Sequence, residues 1–404
     1  MPAFHFAAID ENLAAIASLL SRNPEQHLPT LLQGNAGIAL FHAYWYLYQR
    51  DEALLEPLIA HLEAAIDACN STDQTAFLGT GFTGLSWVVA HLSNLGVLDE
   101  DAEELIKEIR PLIVSSLSGF KLTRDYDLFY GFIGTSIFLA EDASCDHHDM
   151  QVKLLARLEA LVMPMPVGIA WNSSLNGEEE SDINLGLAHG CPSIIMFLLS
   201  LHQQGVQAVK CRRLIEQALD FLLSQELVNG PSLFPSIANG DISASSRLAW
   251  CYGDLGIAYV LLRVGKDFQD ERLYQKGLQV ALHAAGRDLS NAGVHNKGDD
   301  TSLNMGFCHG TAGIAFLFKR LYELTDEATL ERRAQEWLAL TLKHLPPQLN
   351  ALNTDFLIKP FNPTNPSVEQ RYGLLEGLAG IGLVLLAFVN PSKTHWSKLF
   401  LLNN

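Results

Sequence analysis

Two kinds of apolar segment alternate along the chain. One is apolar nearly all round, as in Ile195-Met196-Phe197-Leu198-Leu199 and Ile257-Ala258-Tyr259-Val260-Leu261-Leu262, and suits a helix buried on every side. The other is apolar on one face only. Leu13, Ile16 and Leu20 recur at helical spacing behind Asp10 as a candidate N-cap. Leu105, Ile109 and Leu112 do the same among Glu103, Glu104, Lys107, Glu108 and Arg110. The pattern predicts inner helices alternating with outer helices. Period-two apolar runs of strand length are scarce, so the expected class is all-α.

Each inner segment follows a Gly-x-x-Gly element. Six copies are complete: Gly34 with Gly37, Gly81 with Gly84, Gly131 with Gly134, Gly253 with Gly256, Gly310 with Gly313, and Gly377 with Gly380. A seventh, Gly190-Cys191-Pro192-Ser193, has Ser193 where the second glycine would stand. Successive copies are 47, 50, 59, 63, 57 and 67 residues apart, enough for a helix pair and its loops. Seven inner and seven outer helices bury their apolar faces best by closing into an α/α toroid, with residues 1–404 as a single domain. Glycines at helix entrances also serve tight turns without any chemistry. In a sevenfold register, however, all the loops sit at one end, face the central cavity and bring their flanking side chains together.

Composition narrows the function. Hydrophobic residues make up 48% of the 404 and charged residues 18%, so the chain can bury a large core. A net charge of −18 repels phosphate backbones and anionic membrane surfaces, so nucleic acid is not an expected partner. The first residues lack the basic start of a secretory signal, which points to the cytoplasm. The longest uncharged apolar stretch, Gly377 to Val389, is 13 residues, short of the roughly 20 a bilayer-spanning helix needs. No membrane span is expected. The six cysteines are scattered and read as packing or metal-binding thiols rather than a disulfide framework.

Several motifs look chemical and are set aside. Gly79-x-Gly81-x-x-Gly84 matches a dinucleotide fingerprint but lacks a strand before it and belongs to the repeat. Cys145-Asp146-His147-His148-Asp149 has metal-ligand types in what reads as a solvated turn. His42 and His91 read as satisfied or half-exposed helix residues.

Chemistry concentrates in two adjacent repeats, where Trp250-Cys251-Tyr252-Gly253 and Phe307-Cys308-His309-Gly310 place a cysteine in the same position before the loop glycine. Cys251, Cys308 and His309 form a candidate Cys2His set with one position left open, the pattern of catalytic rather than structural zinc. Two thiolates and a neutral imidazole leave Zn2+ without net charge, so the site can activate a substrate thiol. Beside other loops stand Asp127, His189 and Arg247. They suit proton transfer and charge stabilisation at an enolate-like intermediate. For Asp127 and Arg247 a structural ion pair fastening two repeats is the other reading.

Gly186-Leu187-Ala188-His189-Gly190, Trp250-Cys251-Tyr252-Gly253 and Cys308-His309-Gly310, within the Gly-x-x-Gly register, resemble the lanthionine synthetase C-like (LanC) family over essentially the full chain. The resemblance implies an α/α toroid with one zinc ion held by Cys251, Cys308 and His309. The implied activity is that of a lanthipeptide cyclase, adding Cys thiols to dehydroalanine or dehydrobutyrine of a dehydrated precursor peptide to form thioether rings in antibiotic biosynthesis. His189 would protonate the enolate carbon or take the thiol proton, Asp127 and Arg247 would orient and polarise it, and Tyr252 would line the site. The precursor peptide, and a dehydratase and transporter of the same pathway, would be the partners. Ser193 departs from the family pattern and puts close packing in doubt there. The spacing leaves little room for the small extra domain some members insert. Polar stretches from Asn172 to Asp182, Asn291 to Asn304 and Pro346 to Gln370 are expected as loops rimming the cavity.

Three rivals stand beside this reading. One is addition of a free thiol such as glutathione to dehydro residues in proteins. Another is a toroid glycosidase or prenyl-transfer enzyme, which would need paired carboxylates or an aromatic funnel. The third is a non-catalytic peptide-binding toroid.

Overall fold

The first glycine of every repeat is the N-cap of a buried helix, and this register organises the molecule. The computed structural model describes residues 3–71, 75–117, 126–173, 183–238, 245–296, 299–358 and 371–402. Seven inner helices follow Gly34, Gly81, Gly131, Gly190, Gly253, Gly310 and Gly377: α2 (Asn35–Gln49), α4 (Phe82–Asn94), α6 (Phe132–Glu141), α8 (Cys191–Gln203), α10 (Asp254–Asp267), α12 (Thr311–Thr325) and α14 (Leu378–Val389). Against them pack the outer helices α3 (Leu55–Ser71), α5 (Glu100–Ser116), α7 (His148–Ala160), α9 (Ala208–Ser224), α11 (Glu271–Ala285) and α13 (Ala328–Ile358). The first helix of the chain, α1 (Ala3–Leu20), completes the outer layer by packing on α14, while α14 packs on α2 and closes the circle. The all-α toroid of seven inner and seven outer helices is the observed fold.

The glycines hold the circle together by what they leave out. A Cβ on Gly84 would lie 2.7 Å from Leu31 Cβ, on Gly134 2.6 Å from Leu78 Cβ, and on Gly37 2.9 Å from Leu374 Cβ. Each of these leucines stands three residues before the loop glycine of the neighbouring repeat, so one repeat's large side chain seats on the next repeat's missing one. Ser193 breaks the rule. Its hydroxyl turns back to Gly190 O at 2.7 Å, and at this seam α6 and α8 make few contacts and flank a cavity of about 120 Å³ lined by Ile137, Ala140, Met196 and Phe197.

A ring of backbone hydrogen bonds runs through the loops, two residues before each loop glycine. Leu32 N–H donates to Gly79 O (3.1 Å), Gly79 to Phe129 (2.9 Å), Ala188 to Cys251 (3.4 Å), Cys251 to Cys308 (3.4 Å), Cys308 to Leu375 (3.0 Å), and Leu375 back to Leu32 (3.2 Å). The link from Phe129 to Ala188 is the one missing: Phe129 N–H donates instead to the Asp127 carboxylate at 2.8 Å. Gly79, part of the apparent dinucleotide fingerprint, is thus a ring member.

The C-terminal segment plugs the ring from within. A 3-10 turn, His395–Phe400, buries Trp396 and Phe400 completely. Phe400 lies 4.1 Å from Phe307 and 5.1 Å from Trp250, ring centre to ring centre, and its carbonyl accepts from Trp250 Nε1 at 3.0 Å. Arg320 donates to Leu402 O (2.8 Å), and Lys398 pairs with Glu141 (3.1 Å). Trp250 and Phe307 directly precede Cys251 and Cys308, so this aromatic floor fixes the height of both thiols.

Strands are few. Among the described residues three short antiparallel pairs occur: β1 (Met163–Pro164) with β2 (Ile169–Ala170), β3 (Ile183–Asn184) with β4 (Ile237–Ala238), and β5 (His295–Asn296) with β6 (Asp299–Leu303). Two expectations need correction. Asp10 is not an N-cap; it lies inside α1, where its carboxylate accepts from Tyr48 Oη at 3.1 Å. Helix α13 continues through Pro346 and Pro347 to Ile358 because Leu342, Leu345 and Leu349 keep one buried stripe across the prolines, so the expected loop begins as helix; residues 359–370 lie outside the described residues. Of the two readings for His42 and His91, the half-exposed one does not apply, since both are buried; His91 is the satisfied case, bonding Glu141 (2.7 Å) and Tyr44 (2.9 Å), and His42 stacks on His61. Residues 174–182 of another expected rim loop also lie outside the described residues, and the stretch from Asn291 to Asn304 contains the β5–β6 pair. Among the described residues no helix is long and apolar enough to cross a membrane.

Because the glycine seats carry the seams between repeats, Gly84→Ala is expected to lose about 2 kcal/mol through overpacking. Gly286→Ala, whose Cβ would meet only His283 O at 3.3 Å, is expected to change stability by less than about 0.5 kcal/mol. Equal denaturant midpoints for the two variants would sink this account of the seams.

Candidate active site

The residue just before each loop glycine reaches the surface, while the glycine after it is buried. These residues are Gln33, Thr80, Tyr130, His189, Tyr252, His309 and Glu376. The backbone ring sets them side by side, so chemistry far apart in sequence gathers on one rim.

Cys251, Cys308 and His309 come together: their ligand atoms all lie within 4.8 Å of one another, with both thiols buried. Two soft sulfurs and an imidazole at this separation can hold a thiophilic metal ion with a further position free. Without a metal the three groups share protons. The Cys308 thiol beside it, helped by His309, pulls the Cys251 thiol down to about 6 against its burial. The same contact with Cys251, added to burial and the nearby Glu376, holds Cys308 well above its ordinary value. Burial disfavours charge on His309, yet hydrogen bonds to Cys251 and Glu376 outweigh it and raise the imidazole to about 9. A cluster already inclined to carry thiolate is primed for a cation.

His189 and Asp127 form the second element. His189 Nδ1 lies 2.7 Å from Asp127 Oδ2, and since a carboxylate only accepts, Nδ1 carries the proton and Nε2 is left for a ligand. Asp127 Oδ1 accepts from the Phe129 and Tyr130 amides at 2.8 and 2.9 Å. The carboxylate is thereby locked at the seam where the backbone ring is open. The expected alternative of an Asp127–Arg247 ion pair is not met, because both oxygens are committed elsewhere. Burial opposes the imidazolium of His189, but the Asp127 hydrogen bond and charge overcome it and raise the pKa above its ordinary value. Tyr130 stacks on the His189 ring, 6.3 Å between centres and 13° from parallel.

Tyr252 is half-buried, and its hydroxyl accepts from Asn184 Nδ2 at 3.2 Å. Arg247 is exposed, and its charge acts on Cys251 and Tyr252. The proposed ligands and the candidate acid–base groups therefore share one rim. Tyr130, Asn184, Asn304 and Glu376 belong to the same region and went unread in the sequence. One signal for part of this was present: Asn184-x-Gly186-x-x-His189-Gly190 and Asn304-x-Gly306-x-x-His309-Gly310 are the same motif in repeats four and six.

The other Cys/His/Asp group, Asp142, Cys145 and His147, also has ligand atoms within 4.8 Å. Arg110 already neutralises Asp142 through contacts of 2.5 and 3.1 Å, so the carboxylate has little charge to offer a cation, as befits a polar turn. A cleft of about 600 Å³ on the outer wall between α9 and α11, lined by Arg212, Glu216, Phe268 and Lys276, contains none of the rim residues.

An α/α toroid carrying a Cys2His cluster beside a histidine–carboxylate pair defines a class of protein. The chain matches the model of the lanthionine synthetase C-like protein family over residues 25–401 and belongs to that family. It is 23% identical over 367 residues to the nisin biosynthesis protein NisC of Lactococcus lactis subsp. lactis, covering 81% of this chain and 78% of that protein. It is also 23% identical over 414 residues to a Danio rerio protein named glutathione S-transferase LANCL1, covering 97% and 91%. Among solved structures it is similar to nisin cyclase, with a TM-score of 0.72 at 18% identity, covering 98% of this chain and 96% of the other.

The Asp127–His189 pair generates a prediction. In Asp127→Asn the charge is gone and burial prevails, so His189 is expected to titrate at lower pH than in the wild type, as read from its imidazole resonances by NMR. An unchanged midpoint would show that Asp127 does not set the state of this histidine.

Proposed function

We propose that this chain is a zinc-dependent lanthionine synthetase that closes thioether rings in a dehydrated precursor peptide. The observation that carries the reading is the convergence of Cys251, Cys308 and His309 beside the Asp127–His189 pair on one rim. The two thiols and the imidazole suit zinc by softness and spacing, and bound Zn2+ would lower the pKa of a substrate thiol so that it reacts as a thiolate. The substrate sulfur adds to the β-carbon of dehydroalanine or dehydrobutyrine, forming the C–S bond, while the C=C electron pair moves to an enolate. His189, whose affinity for a proton Asp127 raises, would protonate the α-carbon, and the proton lost by the thiol balances the one gained. Arg247 and the Tyr252 hydroxyl would steady the enolate oxygen. A dehydratase must act first to make the dehydro residues, and a transporter of the same pathway would take the product. The ligand thiols must stay reduced, which fits the cytoplasm, and the closed seven-repeat ring supports one domain spanning the chain.

A second reading has its own support. Similarity to a protein named a glutathione S-transferase over nearly the whole chain favours the same addition with glutathione as the thiol. The rim chemistry is common to both.

Elemental analysis is expected to find one zinc per wild-type chain and none in Cys308→Ala; equal zinc in both would remove Cys308 from the ligand set. Ring closure conserves peptide mass, so free thiols must be counted by alkylation after incubation with the native dehydrated precursor. Fewer alkyl adducts at constant backbone mass supports cyclisation. Gain of one glutathione when it is supplied supports the second reading, and neither change would defeat both. His189→Ala is expected to keep zinc while slowing addition by about 10² to 10⁴.

A further inference from the structure

We infer that Glu376 is a positioning residue for the metal centre: its carboxylate accepts from the Nδ1–H of His309 and so would leave Nε2 as the nitrogen that can hold the ion. This rests on the zinc reading above. Glu376 Oε1 lies 3.1 Å from His309 Nδ1. A carboxylate only accepts, so its approach to Nδ1 favours the tautomer with the proton on Nδ1, which would leave the Nε2 lone pair for ligation.

The surroundings are built to hold that carboxylate. Its second oxygen accepts from Asn304 Nδ2 at 3.2 Å, and the orientation of the Asn304 amide is fixed because its Oδ1 accepts from Gly306 N–H at 2.8 Å. Gly306 provides the space: a Cβ there would come within 2.8 Å of Glu376 Cα and 2.9 Å of Oε2. The Cys308 N–H bond to Leu375 O, one residue before Glu376, keeps the carboxylate level with Cys308 and His309.

Repeat four provides an internal comparison. There the same Asn-x-Gly-x-x-His-Gly motif meets the next repeat's rim residue in the same way: Asn184 donates to the Tyr252 hydroxyl, and a Cβ on Gly186 would lie 2.8 Å from Tyr252 Cδ1. One scaffold thus presents a phenol after His189 and a carboxylate after His309. Only the second can accept from the histidine as an anion, and only that histidine stands with two cysteines.

Zinc affinity of the purified full chain, measured by competition with a chromogenic chelator, tests the inference. Glu376→Ala is expected to bind zinc about 10- to 100-fold more weakly than the wild type. Glu376→Gln, the same size and still able to accept at Oε1, is expected to fall between them, and its circular dichroism melt guards against a mere folding defect. Substitution with Co2+ gives an independent readout, with the ligand-field bands of the wild type shifted in Glu376→Ala. Wild-type and Glu376→Ala affinities that agree within error, with unchanged cobalt bands, overturn the positioning role and leave the zinc reading intact. A wild type that takes up neither metal overturns the zinc reading and this inference together.

Discussion

The backbone ring at the mouth of the toroid is the constraint on which the site depends. Peptide groups buried between packed repeats must find partners, and here each loop satisfies the next: Leu32 to Gly79, Gly79 to Phe129, Ala188 to Cys251, Cys251 to Cys308, Cys308 to Leu375 and Leu375 to Leu32. A hydrogen bond fixes two strands of loop to within a few tenths of an ångström. Because Cys251 and Cys308 are themselves ring members, their sulfurs inherit that precision, and the next residue in each loop is carried to the exposed rim.

The ring opens once, and the opening is used. Phe129 N–H turns to Asp127 rather than to Ala188, and the same carboxylate reaches across to His189. This is also the seam where Ser193 replaces the seating glycine and where α6 and α8 separate around a cavity. A side-chain pair thus replaces a backbone link between repeats three and four, and its polarity raises the proton affinity of an otherwise desolvated histidine.

Two histidines on one rim acquire different chemistry from their neighbours alone. His189 and His309 occupy the same position of the same motif, and each has a carboxylate at Nδ1. His309 faces Cys251 and Cys308, whereas His189 faces Tyr130 and the open rim. The plug formed by Trp396 and Phe400 supports the thiol side from below through Trp250 and Phe307, so the C-terminal segment takes part in placing residues about 90 to 150 positions earlier.

Much of this was legible in the sequence because it is repetitive. The Gly-x-x-Gly spacing set the inner helices and the toroid, and the shared position of Cys251 and Cys308 before their glycines brought out the ligand set with His309. His189 stood out for the same reason. Glu376 and Tyr130 did not, since a lone glutamate or tyrosine carries no pattern of its own, whereas Asn304 shares the motif Asn-x-Gly-x-x-His-Gly with Asn184 and could have been read from it. Pro346 and Pro347 read as a break, whereas burial of Leu345 and Leu349 carries the helix past them. The repeat thus determined the architecture and the position of the thiols. Which carboxylate meets which histidine was decided by the tertiary structure, because Asp127 and His189, or His309 and Glu376, are far apart in the chain and become neighbours only when the ring closes.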